Sequence, residues 1–343
     1  MRSKIFIFFT GAPLLAFLLA GVRVYYQINH WSYSGPTTIF TINKGEGFSK
    51  INARLKSKGI IPSAKIFHRY SQFNGLLEKF KQGDYEIKSG MTMKETLDLL
   101  ISGKSITIKV TIPEGKNIYE IGKIFEENKI LSYKSFIEAA KNSNLVASMG
   151  IEGKTFEGYL YPDTYMLSKN SQAKDVIATM VYTFKNKTKG LDLSSSPFDF
   201  HSLIILASIV EKETGAKEER PDIAGVFLNR IRKKMRLQSD PTTIYGIYEN
   251  FNGNLRKKHL LQKTPYNTYR INGLPIGPIS NPGIEAIRAV LYPSQHNYLY
   301  FVSKNDGTHI FTSTYKDHLR AVKKWQLTYK NRAGKSWRDL KQD

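Results

Sequence analysis

Two glutamates in the second half of the chain, Glu211 and Glu213, are candidate acids, but their spacing places them on different faces of a predicted helix. Apolar residues recur at helical spacing from His201 to Glu213, and Asp199 stands where an N-cap belongs. At about 100° per residue, Glu213 lies within about 20° of Leu206 on the apolar stripe, and Glu211 points about 200° away from Glu213. We therefore expect Glu211 to be solvated. Glu213 should lie where burial raises its pKa toward that of a general acid.

The same pattern leaves a purely structural role open for Glu213. The next helix begins at Pro221 and ends in a basic run, so Arg230 or Arg232 could pair with the carboxylate. Lys212, between the two glutamates, is expected to face solvent or an anionic peptide. A lone carboxylate on an apolar stripe is a weak signal, so the neighbouring motifs carry more weight.

Most other catalytic chemistries are excluded by residue type or spacing. The chain has no cysteine, which excludes disulfides, thiolate zinc sites, iron–sulfur clusters and a cysteine nucleophile. There is no phosphate-binding glycine loop and no Ser-His-Asp arrangement. No metal-ligand spacing occurs among the histidines His201, His259, His309 and His318. We therefore predict neither a metal site nor a cofactor.

The N-terminus has the composition of a membrane anchor. No charge occurs from Ile5 to Val22, a length that just spans a bilayer, and two basic residues precede it. A cleaved signal peptide and a buried core helix are the alternatives, although the small-residue cleavage pattern is poor. We predict a single-pass protein of the inner (cytoplasmic) membrane, with residues 1–4 in the cytoplasm, residues 5–27 as the transmembrane helix, and the bulk on the periplasmic or extracytoplasmic side.

The charge balance predicts an anionic partner. The 343 residues contain 51 Lys and Arg against 29 Asp and Glu, which gives a net charge of +22. Nucleic acid is excluded as the partner by the predicted anchor and by the lack of any nucleic-acid-binding signature. Lipid headgroups and cell-wall polymers are the anionic surfaces that remain.

An internal repeat with an offset of 70 residues follows the anchor. Residues 41–55 recur as residues 111–125, and each copy has the pattern of a short strand, a glycine turn and an amphipathic helix. A weaker third copy is predicted over residues 85–100. Small βα modules are one interpretation. The other is that residues 28–106 resemble a LysM-like module, a small βααβ fold that binds N-acetylglucosamine polymers.

Aromatic and acidic residues are interleaved between these modules and the C-terminal half. The run from Phe156 to Tyr165 contains three tyrosines and two carboxylates, which suits a loop that stacks on a sugar, and Tyr161 is the predicted substrate contact. A solvated turn around Pro162 is the alternative. A domain boundary is predicted in the polar linker at residues 194–197.

Several separate motifs in the C-terminal half occur together in one known family. The chain closely resembles the endolytic murein transglycosylase family, the MltG or YceG-like proteins, over nearly its whole length. The resemblance is most specific from Leu206 to Val302. The motifs that carry it are Leu206–Thr214, Arg236–Gly246, Thr264–Tyr269, Gly273–Gly283 and Tyr298–Val302.

The resemblance implies a lytic reaction on peptidoglycan. Such an enzyme cleaves the β-1,4 bond between N-acetylmuramic acid and N-acetylglucosamine and leaves a 1,6-anhydro ring on the muramyl end. The catalytic residue corresponds to Glu213. One carboxylate is enough because the sugar's own C6 hydroxyl is the nucleophile, held at high effective concentration, whereas ordinary glycosidases need two.

Supporting residues are also implied by the resemblance. Tyr266 would donate a hydrogen bond to Glu213, and Asn267 would position the substrate. Gln238 and Asp240 would line the cleft, although Asp240 with its following proline could equally cap a turn. The expected partners are glycan strands and peptidoglycan synthases (penicillin-binding proteins), and the expected role is that of a terminase of glycan elongation.

These observations predict an α+β fold made of a transmembrane helix, small βα modules and a mixed catalytic domain. After the first module, residues 107–195 are expected to form a second βα module with a connecting region, and residues 196–343 the catalytic domain. The alternative function is a non-catalytic, peptidoglycan-binding membrane tether in which Glu213 is silent.

Overall fold

The computed structural model describes residues 2–43, 45–169, 171–194 and 196–328; for residues 2–14 only the backbone is described. The chain divides into two compact units. The first contains Met1–Ile108 with Met166–Lys169, and the second contains Lys109–Tyr165 with Asn170–Asp343. Helices and two-stranded sheets occur in both halves of the chain, which confirms the mixed α+β class.

The first unit is built from two strands and four helices. Its elements are α1 (Arg2–Asn29), β1 (Thr38–Ile42), α2 (Phe48–Ser57), α3 (Ala64–Phe73), β2 (Gly83–Ile87) and α4 (Met93–Ser102). β1 and β2 are antiparallel, with Phe40 opposite Tyr85, and both side chains are fully buried. Thr92 and Glu95 form a capping box that begins α4.

The predicted anchor coincides in part with α1. Its first ten residues, 5–14, have side chains that lie outside the described residues. Within the described part of the chain, no helix combines the length and the apolar character that a membrane crossing needs. The anchor over residues 5–27 therefore stays a prediction.

The 70-residue repeat is visible in the structure. β1 and α2 correspond to β3 (Ile108–Thr111) and α5 (Ile118–Glu127), at the offset that the sequence predicts. Gly45 and Gly115 occupy equivalent turns with φ of 72° and 74°, a left-handed conformation that favours glycine. The third copy, β2 followed by α4, is also present. The order β1-α2-α3-β2 is that of a βααβ module, while the likeness to LysM stays a prediction.

The second unit is largely helical. After α5 it contains α6 (Tyr133–Ala140), α7 (Ser143–Ser148), α8 (Ala173–Thr188), α9 (Phe200–Glu213), α10 (Arg220–Arg232), α11 (Asp240–Gly246), α12 (Lys257–Leu261), α13 (Ile284–Leu291) and α14 (Tyr315–Val322). Short 3₁₀ turns cover Lys217–Glu219 and Tyr248–Asn250, and a π turn covers Lys323–Leu327. The remaining strands of the chain are β4 (Thr164–Leu167), which pairs with β3, and the antiparallel pair β5 (Tyr300–Ser303) and β6 (His309–Thr312).

Helix α9 is the centre of the second unit. It packs against α10, α11 and α13, and every residue from Leu203 to Val210 is buried. A helix that is apolar all round is enclosed by protein on every side. Polar side chains that could contact a substrate can therefore lie only at the two ends of α9. The predicted split of residues 107–343 at residue 195 stays a prediction.

Candidate active site

Glu213 is the last residue of α9. The helix begins at the predicted N-cap, because the Asp199 carboxylate accepts a hydrogen bond from the Ser202 N–H at 2.7 Å. At the other end, Thr214 donates both its N–H and its hydroxyl to the Val210 carbonyl. A Cβ on Gly215 would lie 2.5 Å from a backbone carbonyl oxygen, so only glycine fits directly after the site.

The carboxyl group of Glu213 is held by a buried serine. Ser239 Oγ donates to Glu213 Oε1 at 2.6 Å, and Ser239 is only 1% exposed. Ser239 is fixed in turn, because its N–H donates to Thr268 Oγ1 at 2.9 Å and its carbonyl accepts from Thr242 Oγ1 at 2.7 Å. The acid is therefore held by a preorganised network.

The environment of Glu213 suits a general acid. Burial is the main cause that raises its pKa to about 7, and the negative charge of Asp240 acts in the same direction. The hydrogen bond from Ser239 and the charge of Arg230 oppose this rise. A carboxyl group with a pKa near 7 is present in both protonation states at neutral pH, which acid and base catalysis by one residue requires.

Glu213 does not form the ion pair with Arg230 or Arg232 that a purely structural role would need. Within the described ranges, Glu213 forms no ion pair. Arg230 is buried, and its guanidinium donates to the carbonyls of Leu299 at 2.7 Å and Leu237 at 2.8 Å. Arg230 thus fixes the chain around the site and acts on Glu213 through its charge.

The expectation that Glu211 is solvated is wrong. Its side chain is 7% exposed, and its Oε1 accepts a hydrogen bond from Arg220 Nη2 at 2.8 Å. Its other oxygen accepts from the Gly283 N–H at 3.1 Å. Arg220 also pairs with Glu114 at 3.1 Å. The helical-wheel argument assumes one buried face, whereas α9 is enclosed on all faces, so Glu211 serves as a structural ion pair.

Lys212 is exposed, as expected, and it also contacts the protein. Its ammonium group donates to the Gly115 carbonyl at 3.2 Å. Gly115 is the turn glycine of the second repeat, so this contact ties the end of α9 to that turn.

Gln238 and Asp240 flank the serine that holds Glu213. Both are exposed, and Gln238 has a φ of 51°, a left-handed conformation that is uncommon for a residue with a side chain. Asp240 begins α11, and its carboxylate accepts a hydrogen bond from the Tyr269 hydroxyl at 2.7 Å. Their role in lining a cleft stays a prediction, which this placement supports.

The structure corrects the substrate role of Asn267. The residue is completely buried. Its Nδ2 donates to the carbonyls of His259, Leu260 and Gln262, and its Oδ1 accepts from Thr243 Oγ1 at 3.0 Å. With every polar atom engaged inside the protein, Asn267 joins α11 to α12 and cannot position a substrate.

Tyr266 does not donate to Glu213 among the residues that the structure describes. Its ring packs edge-on against Tyr245, with the ring centroids 4.8 Å apart. Burial, with the nearby charge of Glu157, raises its pKa to about 12. Ser239 occupies the donor position expected for Tyr266. A supporting role for Tyr266 in the reaction stays a prediction.

The run from Phe156 to Tyr165 is buried from Phe156 to Pro162, and only Asp163 and Thr164 are exposed. Tyr161 is 7% exposed, so it cannot stack on a substrate, and its carbonyl accepts from the Tyr165 hydroxyl at 2.5 Å. Residues 156–162 are part of the core of the second unit, which corrects the prediction for Tyr161.

Glu157 accepts hydrogen bonds from three separate parts of the chain, and the sequence analysis did not predict this role. Its carboxyl group is buried and accepts hydrogen bonds from Ile118 N–H at 3.0 Å, Tyr245 Oη at 2.9 Å and Asn281 Nδ2 at 2.9 Å. Burial is the main cause that raises its pKa to about 8. Ser239 was missed as well, although it lies inside a motif that the sequence singles out.

No group of three histidine, aspartate or glutamate side chains in the described ranges is arranged to hold a metal ion. Glu213, held by Ser239 and with its pKa raised to about 7, presents acid–base chemistry. It is set at the end of a core helix in an α+β fold.

Comparison with known proteins places this arrangement in a family. The YceG-like family model matches residues 40–324. An endolytic murein transglycosylase of Bacillus subtilis (strain 168) is 32% identical over 311 residues, which are 85% of this chain and 86% of that relative. The endolytic murein transglycosylase of Streptococcus pneumoniae serotype 2 (strain D39 / NCTC 7466) is 26% identical over 321 residues, 82% of this chain and 57% of that relative.

A solved structure agrees with these relatives. The 2.6 Å crystal structure of a YceG-like protein from Listeria monocytogenes has a TM-score of 0.57 and 32% identity, and the match covers 84% of this chain and 99% of that chain. The protein is accordingly an enzyme of the transglycosylase class. It belongs to the YceG-like family, as the motifs between Leu206 and Val302 predict.

Proposed function

We propose that this protein cleaves the MurNAc–GlcNAc β-1,4 bond inside peptidoglycan strands, with Glu213 as the single acid and base. The observation that carries the proposal is the half-buried carboxyl of Glu213, which Ser239 holds at 2.6 Å and whose pKa is raised to about 7. The names of the Bacillus and Streptococcus relatives support murein as the substrate.

In the first half of the reaction, protonated Glu213 gives its proton to the glycosidic oxygen. The bond from that oxygen to muramyl C1 breaks, and the GlcNAc fragment leaves with a free 4-hydroxyl group. In the second half, the muramyl C6 hydroxyl bonds to C1, and its proton passes to Glu213. The acid is regenerated, no water is consumed, and the product ends in a 1,6-anhydro ring.

Hydrolysis is the second candidate, and Asp240 is the reason to consider it. Its charge acts on Glu213, so two carboxyl groups are close enough to interact. A glycosidase needs a second carboxylate to activate water or to attack C1. Against this role, the Asp240 carboxylate is exposed and accepts a hydrogen bond from Tyr269 at 2.7 Å.

Digestion of purified sacculi tests whether the protein is an enzyme or a tether. The wild-type protein should release fragments with anhydro-muramyl ends, detected by mass spectrometry, and the Glu213→Gln protein should release none. Binding to sacculi without release by either protein would favour the non-catalytic tether.

The proposed location is the outer face of the cytoplasmic membrane, with residues 5–27 as a single-pass anchor. The uncharged run from Ile5 to Val22 supports it. An anchored enzyme would meet glycan as the synthases release it, so cleavage would end strand elongation early.

Exporting residues 31–343 with a cleavable signal tests the anchor. This form should retain activity in the test tube but fail to restore glycan length in cells, while the full chain succeeds. Full complementation by the untethered form at matched expression would refute the role of the anchor.

A further inference from the structure

Uncompensated positive charge is concentrated in the part of the chain next to Glu213. Residues 230–270 contain ten Lys and Arg against two acidic residues. Nine of the cations are exposed, and we call them the cationic ridge: Arg232, Lys233, Lys234, Arg236, Arg256, Lys257, Lys258, Lys263 and Arg270.

The two acidic residues of this segment do not neutralise the ridge. Glu249 pairs with Lys141 at 3.0 Å, and the Asp240 carboxylate accepts from Tyr269. Within the parts of the chain that the structure describes, no ridge residue forms an ion pair. Nine like charges without counterions repel one another, which raises the free energy of the folded state unless an anion binds.

The ridge is held in shape by hydrogen bonds from the protein interior. Arg236 Nη1 donates to the Tyr269 carbonyl at 3.1 Å, which joins the end of α10 to the loop after α12. The buried amide of Asn267 donates to the carbonyls of His259 and Leu260 in α12. These contacts fix Arg236 and the backbone of α12, which carries Lys257 and Lys258.

The ridge residues lie close to the candidate site along the chain. Arg236 is three residues from Ser239, the residue that holds Glu213, and the Gln238 N–H donates to the Thr268 carbonyl at 3.2 Å. A glycan strand that is cut at Glu213 extends beyond the cleaved bond, so it must also contact the protein surface near the site. The ridge is a strongly charged segment close to Ser239 and Asp240 along the chain.

We infer that the cationic ridge binds the free carboxylates of the peptide stems carried by the glycan strand, so that the enzyme favours stem-bearing strands. The inference rests on the proposed function. The glycan backbone of a strand with intact stems is uncharged, so its negative charge lies on the stems. Exposed charges of this kind act mainly on encounter and on KM, and they are sensitive to salt.

The test compares glycan strands with free stem carboxylates and the same strands after those carboxylates are converted to amides. For the wild-type protein, amidation should raise KM about tenfold and leave kcat nearly unchanged, since several exposed pairs are lost together. The difference should vanish near 1 M salt, where the screening length is about 3 Å.

Two matched variants locate the effect. Lys233→Gln, Lys257→Gln and Lys258→Gln together should abolish the preference for free carboxylates. Lys123→Gln, Lys134→Gln and Lys174→Gln together remove the same charge from exposed positions on α5, α6 and α8, and should keep the preference.

Equal KM values for the two strands with wild-type protein would overturn the inference, and so would equal effects of the two triple variants. Binding of both strands to the Glu213→Gln protein is measured in parallel. If the wild-type protein cleaves neither strand, the proposed function fails. If it cleaves both strands and shows no preference in binding or in KM, only the inference that the ridge binds stem carboxylates is refuted.

Discussion

Ser239 Oγ donates a hydrogen bond of 2.6 Å to Glu213 Oε1, and this contact joins the end of α9 to the start of α11. Among the described residues, the second oxygen of Glu213 has no hydrogen-bond partner. The carboxyl group is thus held by one oxygen and free at the other. The orientation of the carboxyl group is therefore fixed, and its second oxygen is available for proton transfer.

Replacing Glu213 by Gln should abolish glycan cleavage and leave the fold intact. The substitution removes the ionisable proton at nearly constant volume, and the amide oxygen can still accept from Ser239. Loss of a positioned acid–base residue typically costs about 10²- to 10⁴-fold in rate. The measurement is the turnover of glycan strands per folded molecule.

Glu211→Gln is the matched control. Arg220 keeps its ion pair with Glu114, so this variant should lose less stability than the about 3–5 kcal/mol that a buried charge without any partner costs. Its folded fraction should keep nearly the wild-type rate. Equal rate losses in the two variants would mean that the catalytic carboxylate is misassigned.

Removing the Ser239 hydroxyl should move the pH profile of kcat/KM. A hydrogen bond to the carboxylate favours the charged form and lowers its pKa, so Ser239→Ala should raise the pKa of Glu213 above its value of about 7. The alkaline limb, where the acid loses its proton, should move to higher pH. Ser239→Thr keeps the hydroxyl and should restore the wild-type limb. An unmoved limb in the alanine variant would refute the role of Ser239.

Asp240→Asn should shift the same limb in the opposite direction. The negative charge of Asp240 raises the pKa of Glu213, so its removal lowers that pKa and moves the alkaline limb to lower pH. Asparagine still offers an oxygen to the Tyr269 hydroxyl, so the local structure should persist. If Asp240 instead activates water, the variant should lose nearly all activity at every pH.

Glu157→Gln tests whether the buried carboxyl group of Glu157 stabilises the fold through its three hydrogen bonds. A single amide oxygen cannot accept from all three donors, so the variant should lose about 1–3 kcal/mol of unfolding free energy. The folded pKa of about 8 exceeds the ordinary 4.5, so folding favours the protonated form. The advantage of wild type over the variant should therefore shrink as the pH rises from about 4.5 to about 8, in denaturant titrations. An advantage that grows over this range would mean that the buried group is ionised.

Local sequence signals predicted the elements of the site well. The N-cap at Asp199 and the apolar spacing place α9 within one residue of its observed start. The glycine turns at Gly45 and Gly115 mark equivalent strand–helix junctions because a left-handed turn needs a particular residue. Such signals depend on backbone geometry within a few residues, which the sequence carries directly.

The partners of the polar side chains could not be predicted in the same way. The donors to Glu157 lie 39, 88 and 124 residues away along the chain, so no local pattern shows them. Asn267 resembles a site residue in its motif, but its carbonyl partners are set by how the chain closes around α12. Glu211 was misplaced because helical periodicity cannot tell a helix with one buried face from an enclosed helix.

The fate of the solvent oxygen tests the central claim most directly. Glycan strands are digested in heavy-oxygen water, and the new muramyl ends are weighed by mass spectrometry. If Glu213 directs attack by the C6 hydroxyl, the ends are 1,6-anhydro and carry no label, and the Glu213→Gln protein makes none. Reducing ends that carry the heavy oxygen would show that water attacks C1, and they would contradict the account.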